Sequence, residues 1–95
     1  MNDWLGKAVV IRTYSAGVHF GYLVKKEGKE VQLERSRRIH YWYGANSISG
    51  IAAHGLDIKK SRVADRVNIV LTEAIEIVEC SDEAVISLEA ATWVK

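Results

Sequence analysis

The groups best suited to binding a partner are concentrated in one short stretch, residues 34–46. It holds three arginines, one histidine and three consecutive aromatic residues, Tyr41, Trp42 and Tyr43. Arginine presents a planar fork that matches phosphate or carboxylate, and a tyrosine or tryptophan ring presents a face on which a base can stack. This combination of residue types predicts a binding site for an anionic ligand or partner.

Residue types that catalyse reactions are present, but without the spacing that catalysis requires. The three histidines and the single cysteine include no closely spaced pair of the kind found in structural zinc sites. Ser15, Ser47 and Cys80 lack a motif that would place a base beside them, and no phosphate-binding or dinucleotide-binding glycine motif occurs. We therefore expect no metal, no cofactor and no enzymatic activity.

Alternation of apolar and polar residues predicts that three N-terminal strands form an antiparallel meander. The predicted strands are residues 7–14, 18–26 and 30–42. The small three-residue link 15–17 ends in glycine, which predicts a hairpin whose last loop residue, Gly17, has φ > 0. The alternation in the third strand is irregular near Ser36, and this irregularity predicts a β-bulge or a bend at that point.

The second half of the chain adds two helices and two further strands. Ser47 or Asn46 can cap a short helix over residues 47–54, and Gly55 can end it. Residues 56–64 are predicted to be a loop leading into an edge strand. The remaining predicted features are strands at 67–71 and 74–80, a last helix capped by Ser81 with an apolar stripe at Ala84, Leu88 and Ala91, and final apolar anchors at Trp93 and Val94. We predict one α+β domain, residues 1–95, with a sheet of about five strands, a short helix after strand three and a C-terminal helix.

The meander brings the candidate binding residues to one end of the sheet. The start of the second strand pairs both with the end of the first strand and with the end of the third. The alternative is structural: aromatic side chains at a sheet end cover the core, and arginines stack on them. The candidate binding residues are Arg12, Tyr14, Ser15, His19, Arg38, Tyr41 and Trp42.

Charge and composition limit the classes of partner. The net charge of +1 argues against non-specific binding of nucleic acid, although residues 25–38 are basic and residues 65–89 are acidic. Hydrophobic residues make up 48% of this short chain, which is more than one small core requires. We therefore expect a homo-oligomer, in which the basic and acidic halves can face each other across an interface.

The cysteine content and the start of the chain bear on localisation. A single cysteine excludes an internal disulfide and is compatible with a reducing cytoplasm. The first residues lack the basic and apolar regions of a signal peptide, and no apolar run approaches the ~20 residues of a spanning helix. We expect a cytoplasmic protein without a membrane anchor.

Six segments together resemble a known family over roughly residues 8–90. The segments are 12–19 (RTYSAGVH), 21–22 (GY), 37–39 (RRI), 41–42 (YW), 44–45 (GA) and 71–77 (LTEAIEI). They are similar to small proteins encoded by tailed phages and prophages, a family described only as a domain of unknown function. The resemblance implies a phage accessory protein that acts in the cytoplasm of a bacterial host.

The expected function combines this resemblance with the candidate site. Small phage proteins without catalytic motifs often inhibit host defence, either by binding a defence protein or by sequestering a nucleotide signal. The first hypothesis is a non-catalytic counter-defence protein that captures a small anionic, nucleotide-like ligand or docks on a host defence protein. The alternatives are a nucleic-acid-binding module that uses the basic, aromatic strand 34–46, and a virion or assembly component.

Overall fold

Six strands and two helices follow one another in the part of the chain that a computed structural model describes, residues 4–91. The predicted anchors Trp93 and Val94 lie outside this part. The predicted loop at 56–64 contains a two-residue strand, so the sheet has one short strand more than the sequence pattern indicates. The elements are β1 (Ala8–Thr13), β2 (Val18–Glu27), β3 (Glu30–Tyr41), α1 (Ile48–His54), β4 (Arg62–Val63), β5 (Val67–Leu71), β6 (Ala74–Glu79) and α2 (Asp82–Ala90).

The predicted meander of β1, β2 and β3 is confirmed, and all its pairings are antiparallel. Gly17 has φ +87°, as the loop composition predicts. Thr13 fixes the first hairpin, because its hydroxyl donates to the Gly17 carbonyl at 2.8 Å and accepts from the Ala16 N–H at 2.9 Å. The next turn, between Glu27 and Glu30, sets the register that places His19 opposite Arg38 across β2 and β3.

A β-bulge in β3 turns the strand over at the position where the alternation becomes irregular. Arg35 has φ +50°, and the pairing with β2 shifts from Glu34 to Arg37 over two residues of β2. Before the bulge the odd-numbered Leu33 packs in one hydrophobic cluster, and after it the odd-numbered Ile39 packs in the other. The predicted irregularity near Ser36 is therefore confirmed, and it exchanges the two faces of the strand.

The sheet curls strongly, because β5 pairs with β3 at one side of the meander and β6 pairs with β1 at the other. In a flat sheet, β5 and β6 would be separated by four strand spacings, about 19 Å. Only residues 72–73 join them, which allows a Cα separation of at most about 11 Å. Ala74 accordingly pairs with Thr13 and donates its N–H to the Lys29 carbonyl at 3.0 Å.

The curl separates two hydrophobic clusters, one inside the sheet and one beneath the helices. The inner cluster draws on strands from both sides of the meander. The outer cluster joins Phe20 and Ile39 of the sheet to α1 and α2. Both clusters consist of fully or almost fully buried side chains. The inner members are Val9, Ile11, Leu23, Val31, Leu33 and Leu71.

Both helices begin where the sequence predicts, and α1 also ends where it predicts. Ser47 caps α1 by accepting from the Gly50 N–H, and Ser81 caps α2 by accepting from the Ala84 N–H. Gly55, at φ +82°, ends α1. The predicted stripe at Ala84, Leu88 and Ala91 is buried, which confirms the α+β architecture with a short helix after β3 and a C-terminal helix.

Candidate functional site

A cavity of about 390 Å³ opens between the C-terminal half of β3 and the chain leading through β4 into β5. One side of it is polar and comes from β2 and β3. The other side is mostly apolar and comes from the segment 64–69. The residues that line it are His19, Ser36, Arg38, His40, Ala64, Asp65, Val67 and Ile69.

The bulge in β3 explains why these polar groups meet. Ser36, Arg38 and His40 alternate along the strand after the bulge, so they share one face. His19 lies directly opposite Arg38 on β2, which puts the two side chains on that same face. Without the extra residue in β3, the odd-numbered residues after the bulge would occupy this face instead.

His19 is a buried, neutral group in the wall of the cavity. It is 1% exposed, and its Nε2–H donates to the Ala16 carbonyl at 2.9 Å. Burial is the main cause that lowers the pKa of His19 below 6.5, and the neighbouring Arg38 and His40 lower it further. The ring is therefore neutral at pH 7, and with Nε2 protonated its Nδ1 is a hydrogen-bond acceptor.

One arginine and one carboxylate are among the side chains that line the cavity. Arg38 is exposed and belongs to no ion pair within residues 4–91. Asp65 is the one carboxylate among the lining residues. The Ser36 hydroxyl is occupied, because it donates to the Val67 carbonyl at 2.7 Å. An anionic group entering the cavity would meet the Arg38 guanidinium as its principal charged donor.

The structure brings His19 and Arg38 together and places the other five predicted residues elsewhere. Arg12 lies 3.8 Å from Glu76, and the Ser15 hydroxyl donates to Glu73 at 3.5 Å. Tyr14 at the same hairpin is 77% exposed. None of these three lines the cavity.

Of the three consecutive aromatic residues, one packs against the core and two are exposed to solvent. Trp42 is half-buried and packs against the cluster beneath the helices, as the structural alternative predicts. Tyr41 and Tyr43 are exposed, and their rings meet edge to face with centroids 5.1 Å apart. Neither tyrosine lines the cavity.

Two of the three arginines in the stretch 34–46 serve the fold. Arg35 lies over the ring of Tyr22, with its guanidinium carbon 4.0 Å from the ring centroid. Arg37 is 3% exposed, and its guanidinium donates to four backbone carbonyls. Sequence reasoning gave these arginines no separate structural roles, although the predicted bulge was a signal that Arg37 shares a face with the buried Ile39.

Sequence reasoning also missed most of the cavity wall. His40 belongs to the predicted strand but not to the predicted site. Asp65, Val67 and Ile69 reach the cavity only because β5 pairs with β3 from about 30 residues away, with Val67 opposite Ser36. No local spacing in the sequence encodes that pairing.

Other reactive side chains form no second centre in the described part of the chain. No group of three or more His, Cys, Asp or Glu residues within 4–91 is placed to hold a metal ion. Burial raises the pKa of the Cys80 thiol to about 12, so this thiol stays protonated at neutral pH. Over the same residues, none of the helices has the length and apolarity needed to cross a membrane.

The fold and the cavity define a small α+β protein whose curled antiparallel sheet carries a polar, partly basic cavity beside β3. Residues 6–88 match the family described as Domain of unknown function (DUF6948), and the chain belongs to that family. The resemblance to a family of unknown function is confirmed to this extent. No curated protein and no solved structure matches the chain.

Proposed function

We propose that this protein is a non-catalytic binding protein that holds a small anionic, nucleotide-like ligand in the cavity beside β3. The observation that carries the proposal is the placement of Arg38, His40 and the buried His19 on one face, with Asp65 as the single carboxylate of the lining. Val31 and Leu33, before the bulge, are apolar and buried, so these polar groups belong to the part of the strand after the bulge.

The lining matches the parts of a nucleotide. The Arg38 fork suits a phosphate. His19 Nδ1 and the Asp65 carboxylate can accept from the amino or hydroxyl groups of a base or sugar. Val67 and Ile69 offer an apolar surface to the flat ring. The volume, about 390 Å³, lies within the range of roughly 300–1,000 Å³ typical of small-molecule sites.

Arg38→Ala is expected to weaken ligand binding about 10- to 150-fold, which corresponds to the loss of about 1.5–3 kcal/mol from a hydrogen bond to a charged group. The fold should remain intact, because Arg38 is exposed. Calorimetric titration with nucleoside monophosphates, nucleoside diphosphates and inorganic phosphate measures the effect. Arg12→Ala is the matched control, since it removes a cation that pairs with Glu76 outside the cavity. Equal affinities of the Arg38 variant and the unmodified protein would refute the proposal.

The biological role that we propose is counter-defence for a phage, in the cytoplasm of its bacterial host. Its support is the sequence resemblance to phage-encoded proteins together with the exposed Arg38 in the lining of the cavity. The protein would act by sequestering a nucleotide signal, or by docking on a host defence protein. Expression in bacteria that carry nucleotide-signalling defence systems, followed by phage plating, tests this role. If the Arg38→Ala variant still restores phage plating on these bacteria, docking is favoured over sequestration.

The structure weighs against the three arginines of the stretch 34–46 as a joint phosphate-binding site for nucleic acid. Arg35 and Arg37 are occupied by Tyr22 and by backbone carbonyls, so only Arg38 of the three arginines faces a cavity. Phosphate contacts supply most non-specific affinity for nucleic acid, and one free arginine supplies little of it. A virion or assembly component stays an alternative, which mass spectrometry of purified particles would detect.

A homo-oligomer remains our prediction for the assembled state. Its support is the apolar outer strand β5, where Val67 and Val70 are 54% and 52% exposed. Apolar strand residues this exposed are typical of surfaces that pair with another chain. Light scattering at micromolar concentration is expected to give a multiple of 10.6 kDa, and the mass of one chain would contradict the prediction.

A further inference from the structure

A second surface, outside the cavity, combines exposed aromatic rings with exposed cations. Tyr41 and Tyr43 are 46% and 49% exposed, and the cations come from the segment between α1 and β4 and from β4 itself. All five side chains are exposed. We call this surface the tyrosine–lysine patch, and its residues are Tyr41, Tyr43, Lys59, Lys60 and Arg62.

The two rings are held on the outside by the residue between them. Trp42 turns towards the core, so Tyr41 and Tyr43 lie on the opposite side and meet edge to face at 72°. The backbone of Tyr43 is fixed to the neighbouring segment: its N–H donates to the Ser61 hydroxyl at 3.0 Å and its carbonyl accepts from the Asp57 N–H at 2.8 Å. The ring pair is therefore a preformed surface.

The cations are held beside these rings by local structure. The Asp57 carboxylate accepts from the backbone N–H groups of Lys59 and Lys60, both at 2.9 Å, which fixes the turn that carries the two lysines. The Lys60 ammonium lies 5.8 Å from the centroid of the Tyr43 ring. Arg62 pairs with Tyr41 across β3 and β4.

The three cations of the patch, Lys59, Lys60 and Arg62, form no ion pair in the part of the chain that the structure describes. The nearby Asp57 is already engaged by two backbone N–H groups, and these hydrogen bonds are the main cause that lowers its pKa. The patch thus keeps an excess of positive charge next to two exposed rings.

We infer that the tyrosine–lysine patch binds single-stranded nucleic acid, with bases stacked on Tyr41 and Tyr43 and phosphates beside Lys59, Lys60 and Arg62. Aromatic faces bind unpaired bases, which a duplex does not expose, and cations beside them follow the phosphate backbone. Tyrosine rings are also frequent at protein interfaces, so the rings alone do not decide the partner. The placement of cations beside the two rings matches the alternation of phosphate and base along a single strand, and this match favours nucleic acid over an acidic protein.

The inference is independent of the proposed function. None of the patch residues lines the cavity. Arg38→Ala should therefore leave binding of an oligonucleotide unchanged, whatever it does to the binding of a small ligand.

The test is fluorescence anisotropy with a labelled oligo-dT of about 15 nucleotides, a length that matches the site sizes of single-strand binding domains, over a series of salt concentrations. The unmodified protein is expected to bind with an affinity that falls as salt rises. The double substitution Lys59→Ala and Lys60→Ala should reduce the slope of log K against log salt by about 1.4, which is about 0.7 for each lost phosphate contact. Tyr43→Ala should weaken binding about 5- to 150-fold with little change of slope.

The matched control is the double substitution Lys26→Ala and Lys29→Ala in and beside the turn between β2 and β3. It removes the same charge at the start of β3, at the opposite end of that strand from Tyr41, and it should leave the slope unchanged. The inference is overturned if oligo-dT does not bind at low salt, or if this control lowers the slope as much as the patch variant does. It is also overturned if a poly-glutamate peptide competes as well as unlabelled oligo-dT and Tyr43→Ala has no effect, which would point to an acidic protein partner.

Discussion

Arg37→Ala is expected to lower the free energy of unfolding by about 3–5 kcal/mol, a large fraction of the roughly 5–15 kcal/mol of a typical domain. The Arg37 guanidinium donates to the Ala64 and Leu88 carbonyls at 2.8 Å, to Glu89 at 3.2 Å and to Val63 at 3.3 Å. The Arg37 side chain therefore connects β3 to Val63 of β4 and to Ala64 directly after it. It also connects β3 to the last turn of α2. Alanine would leave these carbonyl groups without their donor.

Two features make this contact worth more than an ordinary surface hydrogen bond. Bonds from a charged donor are stronger than neutral ones, and here they form at a side chain that is 3% exposed. Leu88 and Glu89 lie at the C-terminal end of α2, where a cation stabilises the helix dipole. Burial lowers the pKa of Arg37 from its ordinary value, yet an arginine stays charged at neutral pH.

Equilibrium unfolding in urea measures the effect, with Arg38→Ala as the control from the adjacent position. Arg38 is exposed and should change stability by no more than about 0.5 kcal/mol. Arg37→Lys should recover only part of the loss, because one ammonium group cannot reach all four carbonyls that the planar fork reaches. If the two alanine variants unfold at the same urea concentration, the role assigned to Arg37 is wrong.

The contrast between these neighbours shows why the fold could be predicted better than the site. Strands, turns and helix caps depend on local patterns, so Gly17, Ser47, Gly55 and Ser81 could be placed from the sequence alone. Whether an arginine of β3 is buried or exposed depends on which elements pack on its face of the strand. Residues distant in the chain decide that, and hydrophobic alternation does not specify them.

The cavity could be predicted only in part for the same reason. The pairing of β2 with β3 follows from the hairpin register, which is why His19 and Arg38 were correctly placed together. The opposite wall requires β5 to lie along β3, and this pairing follows from the curl of the sheet. The prediction that Tyr41 and Trp42 share a surface did not consider that adjacent strand residues face opposite sides, as they do here.

Gly55→Ala is expected to cost about 3–5 kcal/mol, because two separate constraints require glycine there. The residue has φ +82° and ψ −158°, a region that essentially only glycine adopts. A Cβ would also overlap the Ser87 hydroxyl and lie 2.9 Å from the Ser87 Cβ. The neighbouring Ala84 Cα, at 3.3 Å, belongs to the backbone of α2 and cannot rotate away.

Displacement of Ser87 would lower the free energy of unfolding further. The Ser87 hydroxyl accepts from the Leu56 N–H at 3.0 Å and donates to the Ala84 carbonyl at 3.2 Å, so it links the end of α1 to α2. Moving it breaks the first of these bonds and leaves a partly buried N–H unpaired. Gly55→Ala should therefore loosen the packing of both helices on the outer cluster.

Two variants separate the strain of the backbone from the clash. Gly17→Ala has a similar φ of +87° with no atom within 4 Å of the added Cβ, so it should cost only about 1–2 kcal/mol. Ser87→Ala removes the overlapping hydroxyl, and in the Gly55→Ala background it should recover about 1 kcal/mol in a double-mutant cycle. Urea unfolding of the four variants supplies these values. Equal costs for Gly55→Ala and Gly17→Ala would show that the approach of α2 to Gly55 contributes nothing, and that backbone strain alone requires glycine at the end of α1.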